Sequence, residues 1–266
     1  MKKYNFQIHF KHIAENAMAK IYYRIFAKCL PDKYYPYPFW GGRIYLNVRE
    51  SPMMLQRVLR LYERKKINVV RKLLKPGMTF IDIGSNKGDF SLIASRIVGD
   101  DGTIMAFEPE PNNCKWIRKS IDLNGYNNIT LLEMALGEEN LKTKLYLGEK
   151  SGWHSLIPSL PSRNNGVIEV EKRTLDSILE ERNCKHVDLL KIDVEGFEVM
   201  VLKGAYQTLL NNQGVVILLD MHPHLGVDPG EVCGFLKDIG FTLYEMNSQN
   251  RLKTVSKELQ EVLAKR

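Results

Sequence analysis

Phe80-Ile81-Asp82-Ile83-Gly84-Ser85-Asn86-Lys87-Gly88-Asp89-Phe90 is the stretch that decides the fold. The run MTFIDIG (78–84) reads as a buried strand, and residues 88–98 read as the helix that follows it. Between them lies a loop with Gly84 and Gly88. Glycine lets backbone approach a ligand closely, and in an open parallel sheet ligands sit beyond the carboxyl ends of the strands. The Gly-x-x-x-Gly spacing is neither the dinucleotide G-x-G-x-x-G nor a phosphate loop, since no Gly-Lys-Ser/Thr follows. Asp82 at the strand end would oppose a phosphate and suits a cationic ligand.

Working outward, the pattern repeats. TIMAFEP (103–109) reads as a strand, residues 111–124 as a helix, and NITLLEMAL (128–136) as a strand. LDSILEERN (175–183) reads as a helix, VDLLKIDVEG (187–196) as a strand, 197–211 as a helix, GVVILLDMHP (214–223) as a strand and GEVCGFLKDIG (230–240) as a helix. Apolar strands alternating with helices predict an α/β fold with a largely parallel sheet covered on both faces. Residues 137–174 interrupt the rhythm with hairpin-like segments. FTLYEMN (241–247) and RLKTVS (251–256) predict a closing hairpin, followed by a polar helical tail. The chain divides into residues 1–75, a mostly helical extension, and 76–266, the α/β domain with its 137–174 insertion.

The extension is basic. Residues 1–75 hold 17 Lys and Arg against 4 Asp and Glu, while the rest holds 21 against 27. Such asymmetry predicts an anionic partner or a solvated helical face. Residues 6–30 read as a helix with Ile13, Ala17, Ile21, Ile25 and Cys29 four apart and Lys20, Arg24 and Lys28 on another face. Packing on its own domain, a subunit contact and an anionic membrane surface all fit that helix. DKYYPYPFWGGR (32–43) reads as irregular, RIYLNV (43–48) as a short strand, and 52–74 as a strongly basic helix. There is no secretory signal pattern and no run of about 18 uncharged apolar residues. Cys29, Cys114, Cys184 and Cys233 are at least 49 residues apart, so no CxxC motif exists. Scattered thiols fit a reducing compartment, and the expected location is cytoplasmic or peripheral to a membrane.

The second strand ends in Glu108, 26 residues after Asp82. A carboxylate there can accept two hydrogen bonds from a ribose diol. Asp82 and Glu108 together describe an adenosine-type ligand with a cationic, non-phosphate tail. S-adenosylmethionine fits that description.

These segments resemble the FkbM family of class I S-adenosylmethionine-dependent methyltransferases. The matching residues are YERKKINVVRKLLKPG (62–77), FIDIGSNKGDFSLIAS (80–95), AFEPEPNNCKWIRKSIDLNG (106–125), MALGEE (134–139), TLDSIL (174–179) and VDLLKIDVEGFEVMVLKGA (187–205). The resemblance covers about residues 44–245, and residues 1–40 match nothing. It implies a Rossmann-like, mostly parallel seven-stranded sheet flanked by helices. It also implies roles. Asp82 and the Gly84–Gly88 loop, with Ser85 and Asn86, hold the methionine part of the cofactor, and Phe90 also belongs to the cofactor site. Glu108, followed by Pro109, takes the ribose, Met134 and Ala135 border the adenine, and Asp193 lies beside the methyl group. A loop such as Trp153-His154-Ser155 lies near the acceptor.

Methyl transfer to a hydroxyl needs alignment and removal of a proton. Glu195 is the first choice for acceptor contact, and His222 is a candidate base or clamp. Glu198 can simply favour its helix N-terminus. Asp193, Asp220 and His222 offer oxygen and nitrogen donors for a divalent cation, but without a diagnostic spacing, so no metal set is assigned. The leading expectation is O-methylation of a sugar, glycan or secondary metabolite, with an oligomer compatible. A nucleic-acid methyltransferase is the alternative raised by the basic extension, but no Asn/Asp-Pro-Pro-aromatic motif and no RNA-binding module occurs. A non-enzymatic membrane- or partner-binding protein is the third reading. The intact Asp82, Gly84, Gly88, Glu108 and Asp193 argue against it.

Overall fold

The computed structural model describes residues 21, 23–25, 29–149, 152–158, 165–246, 252–254 and 261–265. Most of the expected 6–30 helix, including Ile13, Ala17, Lys20 and Lys28, lies outside them. Residues 21 and 23–25 are helical, and Ile21 and Ile25 are 56% and 60% exposed.

The sheet is built from β3 (Thr79–Ile83), β4 (Thr103–Phe107), β5 (Ile129–Leu132), β9 (Leu189–Ile192), β10 (Val216–Asp220), β11 (Thr242–Met246) and β13 (Glu261–Lys265). The order across it is β11-β13-β10-β9-β3-β4-β5, and the short β12 (Leu252–Thr254) adds an eighth strand beside β11. β3, β4, β5, β9 and β10 are parallel, whereas β13 runs antiparallel between β10 and β11. The expected polar helical tail is therefore wrong at 261–265. Val262, Leu263 and Ala264 are consecutive and all buried, which suits a strand covered on both faces.

Helices α3 (Asp89–Val98), α4 (Pro111–Asn124), α5 (Leu175–Glu181), α6 (Glu198–Gly204), α7 (Tyr206–Asn211) and α8 (Pro229–Asp238) link the strands. The predicted 197–211 helix is thus two helices that meet at Ala205. On one face of the sheet Ile81, Ile83, Leu190, Ile192, Ile217 and Leu219 join the core. Phe80, Leu189 and Leu218, one residue out of phase, point to the other. The insertion forms a small sheet in which β8 (Val167–Arg173) lies between β6 (Ala135–Leu136) and β7 (Leu141–Tyr146).

The front end departs most from expectation. The stretch read as irregular forms β1 (Tyr35–Phe39), which pairs with β2 (Gly42–Leu46) across a two-residue turn. That turn has Trp40 and Gly41 at φ 44° and 92°, the left-handed pair that a tight hairpin requires. The expected continuous helix 52–74 is broken into α1 (Pro52–Val58) and α2 (Arg64–Leu73). Phe39, Ile44, Leu46, Met54, Ile67, Val70 and Leu74 share one core with Phe80, Phe90 and Ile104 of the sheet domain. The division at residue 75 is therefore one of composition; residues 39–74 pack as part of the α/β body.

Candidate active site

Because β3, β4, β9 and β10 are parallel, the loops after them converge on one edge. The strand order reverses between β3 and β9, which opens a crevice there. The cavity is lined by the loop 84–86, by Phe107 to Pro109, by Met134 to Leu136, by Asp193 to Glu195, and by Asp220 and His222. The insertion adds Gly152 to Leu156, and the front end adds Met53, Arg57, Tyr62 and Glu63.

Gly84 sits at φ +76°, and a Cβ there would lie 1.9 Å from the Asp193 carbonyl oxygen. Only glycine lets the β3 and β9 loops approach this closely. The Ser85 hydroxyl donates to the Asp82 carbonyl at 2.9 Å, which fixes the turn. Gly88, at φ +84°, begins α3 and faces Ile117 rather than the cavity.

Asp82 does not line the cavity. It is fully buried, accepts from the Ser91 hydroxyl at 2.6 Å, and lies 3.2 Å from the Lys191 ammonium. Asp82 and Lys191 are register partners on adjacent strands. Lys191 also donates to the Gly84 carbonyl at 3.3 Å and lies 3.6 Å from Asp193. Burial alone would lower the Lys191 pKa, but the Asp82 and Asp193 charges raise it above the ordinary lysine value. This pair supports both loops from beneath, with the Asp82 carboxylate turned to Ser91 and Lys191.

Glu108 does line the cavity. Its carboxylate accepts from the Asn86 amide at 2.7 Å, the Glu110 amide at 3.0 Å and the Asn113 side chain at 3.3 Å. Burial nevertheless pushes its pKa up to about 7. A buried carboxylate that still favours protonation gains from further donors, such as a ribose diol. Ile83, Phe107, Met134, Ala135 and Leu136 give an apolar flank suited to a flat heterocycle. The Gly84 cradle, the buried Glu108 and the acid at Asp193 thus fit S-adenosylmethionine.

At the other end, His222 Nδ1 is 2.6 Å from Glu198, and Nε2 is 3.7 Å from both Asp193 and Glu195. Burial disfavours the imidazolium. The Glu198 hydrogen bond and the charges of Glu195 and Asp193 outweigh it, raising the pKa to about 9. Burial also works against the Asp193 carboxylate, yet Lys191, Lys66 and His222 hold its pKa below the ordinary value. Asp220 is engaged elsewhere, by the ammonium of Lys66 from α2, which also contacts Glu63 at 3.0 Å. Burial raises both of those carboxyls.

A profile of the Methyltransferase FkbM domain matches residues 82–243, more than half of the chain. The chain belongs to the FkbM methyltransferase family. It is an S-adenosylmethionine-dependent methyltransferase. Among its relatives, Methyltransferase 1 of Beauveria bassiana is 29% identical over 143 residues, covering 47% of this chain and 57% of that protein. The hexuronic acid methyltransferase AglP of Haloferax volcanii is 26% identical over 185 residues, covering 66% of this chain and 69% of that protein. Ribosomal RNA large subunit methyltransferase E of a Psychrobacter species is 31% identical over 84 residues, covering 32% of this chain and 35% of that protein.

In this FkbM chain the cavity gathers Gly84, Ser85, Asn86, Phe90, Glu108, Pro109, Met134, Ala135, Asp193, Glu195 and His222, as expected, and leaves out Asp82 and Gly88. Trp153, His154 and Ser155 also line it. The Ser155 hydroxyl is committed: it donates to the Glu195 carbonyl at 2.6 Å and accepts from the Ile157 amide at 3.1 Å. Ser155 therefore fixes Glu195, which sits at the left-handed φ of 52°.

Sequence reasoning missed Lys191, Arg57, Tyr62 and Lys66. A lone lysine inside the apolar strand Leu-Leu-Lys-Ile was the available signal for Lys191. Arg57 gave none: it reads as one more surface cation, yet it is buried, bonded through Nε to Asp89 at 2.9 Å, and stacked 3.7 Å from the Tyr62 ring. No helix among the described residues is long and apolar enough to cross a membrane.

Proposed function

We propose that the chain methylates a hydroxyl of a sugar, glycan or hydroxylated secondary metabolite. The observation that carries this reading is the meeting of Asp193, Glu195 and His222 at the end of the cavity away from Glu108. A hydroxyl must lose its proton as its oxygen gains the methyl group, and a carboxylate within reach can take it.

S-adenosylmethionine supplies the electrophilic methyl carbon. Gly84, Asn86 and Glu108 would hold it, with Met134 and Ala135 against its adenine. Glu195 takes the acceptor proton. His222, which carries a proton up to pH about 9, has no lone pair at Nε2 for that task and clamps the two carboxylates instead. Trp153 offers an aromatic face of the kind that packs on sugar rings. The likeness to a hexuronic acid methyltransferase over two thirds of this chain supports a glycan acceptor, whereas the likeness to an RNA enzyme covers a third of it. The basic excess of residues 1–75 supports contact of that end with an anionic surface or acceptor.

The test is transfer of labelled methyl from S-adenosylmethionine to a panel of hydroxylated glycans, metabolites and RNA. Glu195→Gln is expected to lower turnover about 100- to 10,000-fold while cofactor affinity changes little. Transfer to RNA alone would overturn the reading, as would full turnover by Glu195→Gln.

A further inference from the structure

We propose that Asp193, Glu195 and His222 form a binding site for a divalent cation of the Mg2+ and Mn2+ class. One donor atom from each lies within 4.8 Å of the others. His222 Nε2 is 3.7 Å from Asp193 Oδ1 and 3.7 Å from Glu195 Oε1. Those gaps are too long for hydrogen bonds, which close at ~2.7–3.2 Å. They leave room for an ion between the atoms, since divalent metal–ligand bonds run ~2.0–2.4 Å.

The surroundings point the same way. The Glu198 carboxylate binds His222 Nδ1 at 2.6 Å, which leaves Nε2 directed at the two acids. A carboxylate behind a ligand imidazole is the usual support of a metal-bound histidine. Glu198 is itself 0% exposed, and its second oxygen has no hydrogen-bond partner. Buried carboxylate charge of this kind needs a cation nearby, and a metal ion on Nε2 would keep one there in place of the imidazole proton.

A neighbouring set provides the contrast. Glu63, Asp193 and Asp220 also approach within 4.8 Å of one another, but there the Lys66 ammonium bonds to both Glu63 and Asp220. That cluster has its cation built in. The sequence placed Asp220 with Asp193 and His222; the structure gives Asp220 to Lys66 and substitutes Glu195. Two carboxylates and one imidazole form a mixed oxygen–nitrogen set acceptable to Mn2+. A divalent ion there takes over the positive charge that His222 otherwise carries. All three residues line the cavity, so open coordination positions would face an acceptor. The ion would make a bound hydroxyl more acidic, a consequence that rests on the hydroxyl acceptor proposed above.

The experiment titrates Mn2+ alone into protein free of cofactor and acceptor, following free Mn2+ by electron paramagnetic resonance. One saturable, sub-millimolar equivalent is expected in the wild type. Glu195→Gln and His222→Gln are each expected to weaken it by at least about tenfold. Binding of S-adenosylhomocysteine within about threefold of wild type certifies each variant as folded. Should His222→Gln fail that check, Glu195→Gln decides, because its carboxylate is partly exposed. Absence of a saturable site at millimolar Mn2+, or unchanged binding in the folded variants, would overturn the proposal. Neither result touches the hydroxyl reading, which stands or falls on the methyl-transfer assay.

Discussion

If Glu108 holds the ribose as proposed, cofactor affinity is expected to depend on pH in a calculable way. Its carboxyl is buried and titrates at about 7, against an ordinary 4.5. A ribose diol donates to the ionised form, so binding favours the carboxylate. At pH 6 about one molecule in ten carries it, and at pH 8 about nine in ten. Affinity for S-adenosylhomocysteine is therefore expected to be about tenfold weaker at pH 6 than at pH 8, or ~1.4 kcal/mol. Calorimetry in two buffers of different ionisation heat should also detect proton release on binding near pH 6. Glu108→Gln should flatten the profile and bind about ten- to a hundredfold more weakly at pH 8, through loss of ~1.5–3 kcal/mol of charge-assisted hydrogen bonding. Stability runs the other way. A carboxyl whose folded pKa is raised contributes stability below its unfolded pKa of 4.5 that is lost as pH rises through about 7. The gap corresponds to about 3 kcal/mol. Without cofactor, Glu108→Gln should thus melt above the wild type at pH 8 and level with it at pH 4.5. A wild-type affinity that is flat from pH 6 to 8 would refute the reasoning.

Gly84→Ala would place a methyl group 1.9 Å from the Asp193 carbonyl oxygen at a φ of +76°. It is expected to weaken cofactor binding by at least about tenfold, with ~1–3 kcal/mol of backbone strain; a variant that melts and binds like wild type contradicts the close approach of the two loops. Lys66→Met removes the cation that faces Glu63 and Asp220. Urea unfolding should show a loss of about 3–5 kcal/mol, the cost of leaving buried charges unpaired, and a change below about 1 kcal/mol would show that water already reaches them.

Much of the domain from Met78 to Gly240 could be read from the sequence, because strands buried on both faces are apolar runs and Gly99, Gly125 and Gly240 mark the ends of three of its helices. The cofactor corner was legible for the same reason: Gly84 and Glu108 act through local geometry at strand ends. The front end was not. Arg57 and Lys66 sit in a stretch so rich in cations that nothing separates the buried from the solvated ones. Only the tertiary partners, Asp89 for Arg57 and Asp220 for Lys66, make the distinction, and they lie 32 and 154 residues away. Tyr34 and Trp40 stand in the stretch that reads as irregular. Instead Tyr34 stacks 3.9 Å from Trp116, and Trp40 occupies a hairpin turn that hydrophobic alternation does not announce. Asp82 was the opposite case: its position next to the glycines suggested ligand contact, while its register partner Lys191 turned it inward.

The place of β13 sets an order on assembly. Residues 261–265 are made after every other described strand of the sheet, yet they lie inside it, between β10 and β11. While the ribosome is still upstream of Glu261, β3, β4, β5, β9 and β10 can already align. β10 then presents a bare edge, and β11 and β12 have nothing to dock on. Such an edge invites pairing with another chain. Synthesis of residues 261–265 thus seals the half of the sheet that carries Asp220 and His222, and a nascent chain stalled before Glu261 would hold a formed Glu108 corner beside an unfinished reacting end.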